Sequence, residues 1–131
     1  MAIYDRVLTA EQGGKYVDEN GVAYDVQRAA IAAATSGNNE IVAAVAGKTI
    51  RVLSLFILAG AAGDIYFTSA NSGTVIFGGS TNKIKLAANG GFMLPRNIDG
   101  WMETTTANQA LVMNASSTGP FSGGLTYILA E

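Results

Sequence analysis

The sequence predicts an all-β domain, a sandwich or barrel of short antiparallel strands. Three features predict it. Short apolar runs are separated at regular intervals by Gly, Asn and Ser, the residues that build turns between strands. Several runs alternate apolar and polar residues, as a strand with one buried face does. The one stretch that favours a helix in isolation, Ala29–Ala34, is shorter than what nucleates a stable helix. Its small side chains also suit a strand packed close to another, and it is read here as strand.

The chain has 131 residues, which fits one domain of the usual size of about 100–150. Hydrophobic residues are 49% and charged residues 14%, against a usual charged share of about 25%, so the chain has the makings of a core and not of a disordered tail. Residues 1–24 differ from the rest. They carry Asp5, Arg6, Glu11, Lys15, Asp18 and Glu19, and Gly13-Gly14 breaks any helix there. Asn20-Gly21 sits between Tyr16-Val17 and Val22-Ala23-Tyr24, and both residues tolerate positive φ, so a tight hairpin is expected. The expected division is an extended N-terminal arm with a small hairpin over 1–24 and a sandwich domain over 25–131.

Within the sandwich the expected strands are Val26–Thr35, Glu40–Val45, Thr49–Ala59, Asp64–Ser69, Thr74–Phe77, Lys83–Ala87, Gly91–Leu94, Trp101–Thr105, Ala110–Asn114 and Leu125–Leu129. Ser36 to Asn39, Ala46-Gly47, Asn71 to Gly73, Asp99-Gly100, Ser116 to Gly119 and Ser122 to Gly124 are among the turns between them. Ile84 and Leu86 point inward and Lys83 and Lys85 outward; Leu125, Tyr127 and Leu129 share a face, as do Leu111 and Met113. Thr49–Leu58 is apolar on both faces. Strict alternation puts Ile50, Val52, Phe56 and Leu58 on one side and Leu53, Leu55 and Ile57 on the other. A strand apolar on both faces must be covered on both, either by the arm or by another subunit. The candidate interface is therefore Leu53, Leu55 and Ile57, with Ile3, Tyr4, Val7 and Leu8 of the arm.

Composition removes much chemistry. Cys and His are absent, which excludes disulfides, thiolate metal sites and any Ser-His or Cys-His pairing. The formal charge of −2 offers no basic field for nucleic acid or an anionic membrane. The opening residues lack the pattern of a signal peptide, and no apolar run has the roughly 20 residues that span a bilayer. No cofactor and no metal are expected, and no enzyme activity.

The motifs agree. Ala46-Gly47-Lys48-Thr49 echoes a phosphate loop, but the first Gly of that motif falls at Val42, and the run opens a strand instead of a helix. Asp18-Glu19-Asn20-Gly21 lacks the alternating ligands and closing Glu of a calcium loop. Asp64, Asp99 and Glu103 would have to converge in one cleft to serve a carboxylate-dependent hydrolase. Asp99-Gly100 reads as turn chemistry, with Asp bonding its own backbone. Tyr66, Phe67, Phe77, Phe92, Trp101 and Tyr127 have little positive charge near them and read as core residues.

The stretch from Glu40 onward resembles a family of small structural proteins of tailed bacteriophages. The matching runs are Ile41 to Ser54 (IVAAVAGKTIRVLS), Leu86 to Pro95 (LAANGGFMLP), Asp99 to Thr104 (DGWMET), Ala110 to Asn114 (ALVMN) and Gly123 to Tyr127 (GGLTY). The resemblance is to capsid decoration, or cement, proteins. It implies a jelly-roll-like antiparallel β-sandwich carried as a homotrimer on the virion surface. It also implies a function, decorating and stabilising the capsid by bridging subunits of the major capsid protein after synthesis in the host cytoplasm. It brings no catalytic residues. The rival expectation is a tail or fibre module that binds a cell-surface glycan through loops Asn71–Gly73 and Asn114–Gly119 with Trp101 as a platform.

Overall fold

The structure is a computed structural model that describes residues 15–17, 20–97 and 99–130. Among the described residues the chain forms twelve strands and no helix. They are β1 (Lys15–Val17), β2 (Ala23–Asp25), β3 (Gln27–Ala33), β4 (Gly37–Val42), β5 (Thr49–Ala59) and β6 (Gly63–Ser69). After these come β7 (Thr74–Phe77), β8 (Ile84–Leu86), β9 (Gly91–Leu94), β10 (Met102–Glu103), β11 (Leu111–Ala115) and β12 (Phe121–Ala130). Every expected strand is present, and Ala29–Ala33 lies in β3. The arm residues Ile3, Tyr4, Val7 and Leu8 lie outside the described residues.

All pairings are antiparallel, and two sheets pack face to face. The first has the order β10-β5-β12-β3, with β9 also on β5. The second has the order β4-β11-β6-β7, with β8 also on β6. From β3 to β6 each successive strand changes sheet. Strands β9 and β10 pair with successive stretches of β5, and β7 and β8 with successive stretches of β6, so each pair fills one strand position. That leaves four positions per sheet in jelly-roll order. A third, two-stranded sheet is the hairpin β1–β2, in the register Lys15↔Asp25 to Val17↔Ala23 around Asn20-Gly21. Gly21 supplies the positive φ of 84° that the turn needs.

The core fills the space between the two large sheets. Ile50, Ile57, Ile65, Phe67, Leu111 and Phe121 are among its fully buried members. Phe67 meets Phe77 edge to face at 6.2 Å, a favoured arrangement of aromatic rings. Leu111 and Met113 lie in this core, and Leu125, Tyr127 and Leu129 pack into it from one face of β12, as their alternation predicts. Phe77 and Phe92 pack against it as well. Tyr66 and Trp101 do not belong to it. Tyr66 lies under the Lys83 ammonium at 5.8 Å, and Trp101 is half-buried and donates its indole N–H to the Pro95 carbonyl at 2.7 Å.

The expectation for β5 needs correction. Strict alternation fails because β5 carries a bulge opposite Thr126-Tyr127. Thr126 faces Ser54 and Tyr127 faces Val52, so Leu53 is an extra residue without a cross-strand partner. A bulge reverses the side-chain phase beyond it. Ile50 and Val52 before it, and Leu55 and Ile57 after it, all join the core between the sheets. Leu53 packs instead with Ile128 beneath Tyr24 and Val26, as a small second cluster. None of Leu53, Leu55 and Ile57 is more than 1% exposed, so the described fold already covers all three residues of the expected interface.

Two turn assignments also change. Gly37–Asn39 opens β4 and is no loop. Ser122-Gly123-Gly124 lies inside β12, where glycine permits close approach: Gly123 has φ of 146°, and a Cβ there would collide with the Phe56 carbonyl oxygen of β5. Ala46-Gly47 is the expected turn, closed by the Lys48 N–H donating to the Val45 carbonyl at 3.1 Å, with Gly47 at φ of 74°.

Candidate interaction surface

The bulge gives the first sheet an unusual outer face. Past Leu53, Ser54, Phe56 and Leu58 are the residues of β5 that turn away from the core. The cross-strand registers set out the face in rows. One row runs Met93, Phe56, Gly124, Ala30 across β9, β5, β12 and β3. The next runs Ser54, Thr126, Arg28, and the row on the other side runs Gly91, Leu58, Ser122, Ala32. In the first row the large side chains, Met93 and Phe56, stand on β9 and β5, and the small residues, Gly124 and Ala30, on β12 and β3. That step makes an open groove of about 680 Å³ whose lining includes Arg28, Ala30, Ser54, Phe56, Met93 and Arg96.

The groove wall is exposed. Met93 keeps 68% and Phe56 49% of their surface in solvent, and Leu58, beyond the groove on the same face, keeps 41%. Large apolar side chains grouped in this way mark an interaction site more often than isolated ones do. The polar atoms of the floor are already satisfied, since the Ser54 and Thr126 hydroxyls share a hydrogen bond of 2.6 Å. What the groove offers is apolar contact flanked by two guanidinium groups, at Arg28 and Arg96. The hairpin borders it. Tyr24 and Val26 cover Leu53 and Ile128, and the groove begins at the next residues along, Ser54 and Thr126.

The carboxylates singled out in the sequence are engaged separately. Glu103 of β10 accepts from Arg51 Nε at 3.0 Å and from the Thr49 hydroxyl at 2.6 Å. Asp64 of β6, in the other sheet, meets Lys85 Nζ at 3.3 Å. In the turn at Asp99-Gly100 it is Asn97 whose side chain accepts the Asp99 N–H, at 3.0 Å, while Gly100 supplies φ of 81°. The Asx residue of that turn is therefore Asn97 and not Asp99. No group of three or more Asp or Glu side chains among the described residues is placed to hold a metal.

The loops of the glycan expectation come partly together. The Asn114 amide donates to the Asn38 side chain at 3.2 Å, and the Asn38 amide donates to the Ser72 hydroxyl at 3.0 Å. Loop 116–119 is tied down at its base, where the Asp64 N–H donates to the Ser116 hydroxyl at 2.8 Å and the Ser117 hydroxyl to the Ala62 carbonyl at 3.0 Å. Trp101 stands beside β10 of the other sheet, with its N–H given to Pro95. It does not complete an aromatic platform beside these amides.

Sequence reasoning missed Phe56, Leu58 and Met93 as one surface. A signal was present. Arg51 and Ser54 are three residues apart, an odd spacing, so both can face outward only if the strand changes phase between them. Fold and surface together define a small antiparallel jelly-roll sandwich with an apolar groove on the outer face of its first sheet. Comparison with family models, with curated proteins and with solved structures returns no match for this chain.

Proposed function

We propose that this chain is a structural protein of a bacteriophage virion that decorates and stabilises the capsid. The observation that carries the reading is the outer face of the first sheet, where Phe56, Leu58 and Met93 stand exposed together on β5 and β9 of a five-stranded sheet. The jelly-roll order is the fold that the resemblance to decoration proteins implies. Low overall charge fits a surface much of which meets other chains. The action is mechanical and non-enzymatic. Copies bridge neighbouring major capsid protein subunits, and each contact stabilises only the assembled shell, so disassembly becomes harder. Attachment as a homotrimer multiplies weak contacts into lasting occupancy.

The test mixes purified protein with undecorated shells and counts bound copies. Saturable occupancy that falls when Phe56→Glu is introduced supports the reading. Absence of occupancy by the folded wild-type protein overturns it. Phe56 is half in solvent, so this variant keeps the core.

A further inference from the structure

We infer that the groove on the outer face of the first sheet seats the N-terminal segment of the same chain, through Ile3, Tyr4, Val7 and Leu8. The inference concerns the protein free of a shell; it uses the same Phe56 and Met93 surface as the capsid reading, so segment and shell compete for it. The inference rests first on where the described chain begins. It begins at Lys15, whose partner Asp25 is three residues from the groove residue Arg28.

The hairpin gives the second support. Tyr24 and Val26 already cover the outer face of this sheet at Leu53 and Ile128. The groove is the uncovered continuation of that same face, beginning at Ser54 and Thr126. Reach is sufficient. The seven residues from Lys15 to Leu8 span up to about 23–25 Å when extended. Phe56 and Leu58 lie two and four residues past Ser54 along β5, about 7 and 13 Å at strand rise.

Chemistry is the third support. The segment has apolar side chains for the Phe56 and Met93 wall, and its carboxylates, Asp5 and Glu11, outnumber its one basic side chain, Arg6, opposite the flanks at Arg28 and Arg96. A groove with an apolar wall and Arg28 and Arg96 at its flanks suits a short apolar peptide that also carries carboxylates. The floor is low because Gly124 and Ala30 stand where larger residues would fill it.

The methionines make the test direct. Full-length protein carrying Thr9→Cys takes one nitroxide label, since the chain has no other cysteine. The methionine methyl groups are observed by NMR in dilute protein without shells. Loss of the Met93 methyl signal, with Met102 and Met113 retained, is the expected result. Those two are 5% and 0% exposed and report an intact core. Met1 broadens in any case, because it lies close to the label in sequence. Restoration of the Met93 signal by Phe56→Glu identifies the groove as the seat.

A Met93 signal left intact in the labelled wild-type protein overturns the inference. Loss seen only when nitroxide-labelled protein is mixed with a separately methyl-labelled copy also overturns it, because the occupant is then a second chain. Failure here leaves shell occupancy untouched, and failure of shell occupancy leaves the Met93 result untouched.

Discussion

Two neighbouring residues on β5 are expected to respond in opposite ways to truncation. Ile57 is fully buried between the sheets, while Phe56 is 49% exposed on the outer face. Ile57→Ala removes buried methyl and methylene groups and leaves a cavity, which costs about 2–5 kcal/mol. Fully burying a Phe stabilises by up to about 3 kcal/mol, and half burial by about half as much at most. Phe56→Ala is therefore expected to cost about 1 kcal/mol, including its cross-strand contact with Met93. Urea unfolding followed by circular dichroism reads both. With a slope of about 2 kcal/mol per molar urea, Ile57→Ala lowers the midpoint by about 1–2.5 M and Phe56→Ala by about 0.5 M. Equal shifts, or a larger one for Phe56, would refute the phase change at Leu53 and the surface built on it.

Other outcomes follow from the same geometry. Leu53→Ala is expected to cost about 2–4 kcal/mol and to speed proteolysis within residues 15–25, because Tyr24 and Val26 lose the residue they cover; limited digestion and urea unfolding check both. Gly123→Ala is expected to cost more than the roughly 1–3 kcal/mol of backbone strain alone, since its Cβ also meets the Phe56 carbonyl; thermal unfolding measures it. Glu103→Gln is expected to change stability by less than about 1 kcal/mol, because the ion pair with Arg51 is partly exposed, at 26% and 36% for the two side chains; melts at low and high salt read the difference. Light scattering on a sizing column is expected to give about three times the 13.5 kDa of one chain, and a clean monomer contradicts the homotrimer.

Most of the fold is legible in the sequence because its strands obey local rules. Ile84 and Leu86 alternate with Lys83 and Lys85, and Asn20-Gly21 has the chemistry of a tight turn. What fails is instructive. Serine and glycine at 122–124 read as a turn by composition, yet the chain needs them inside β12, where only glycine lets its backbone pass Phe56. The face of Leu55 and Ile57 depends on one extra residue, Leu53. The bulge is set by pairing with Thr126 and Tyr127, more than seventy residues away in the chain, and the only local trace of it in β5 is the odd spacing of Arg51 and Ser54. The outer groove was hidden for the same reason, since its wall comes from β5 and β9 and its floor from β12 and β3. The carboxylates illustrate the reverse limit. Asp64 and Glu103 are visible in the sequence, but only the sheets show that they belong to separate ion pairs.

The most direct test of the account is shell stability. Undecorated shells of the phage proposed to carry this protein are heated with and without the purified protein, and bound copies and the temperature of disruption are measured together. The account predicts saturable binding and a higher disruption temperature, with both effects reduced by Phe56→Glu. Shells that bind none of the folded protein, or that bind it and come apart at an unchanged temperature, contradict the account.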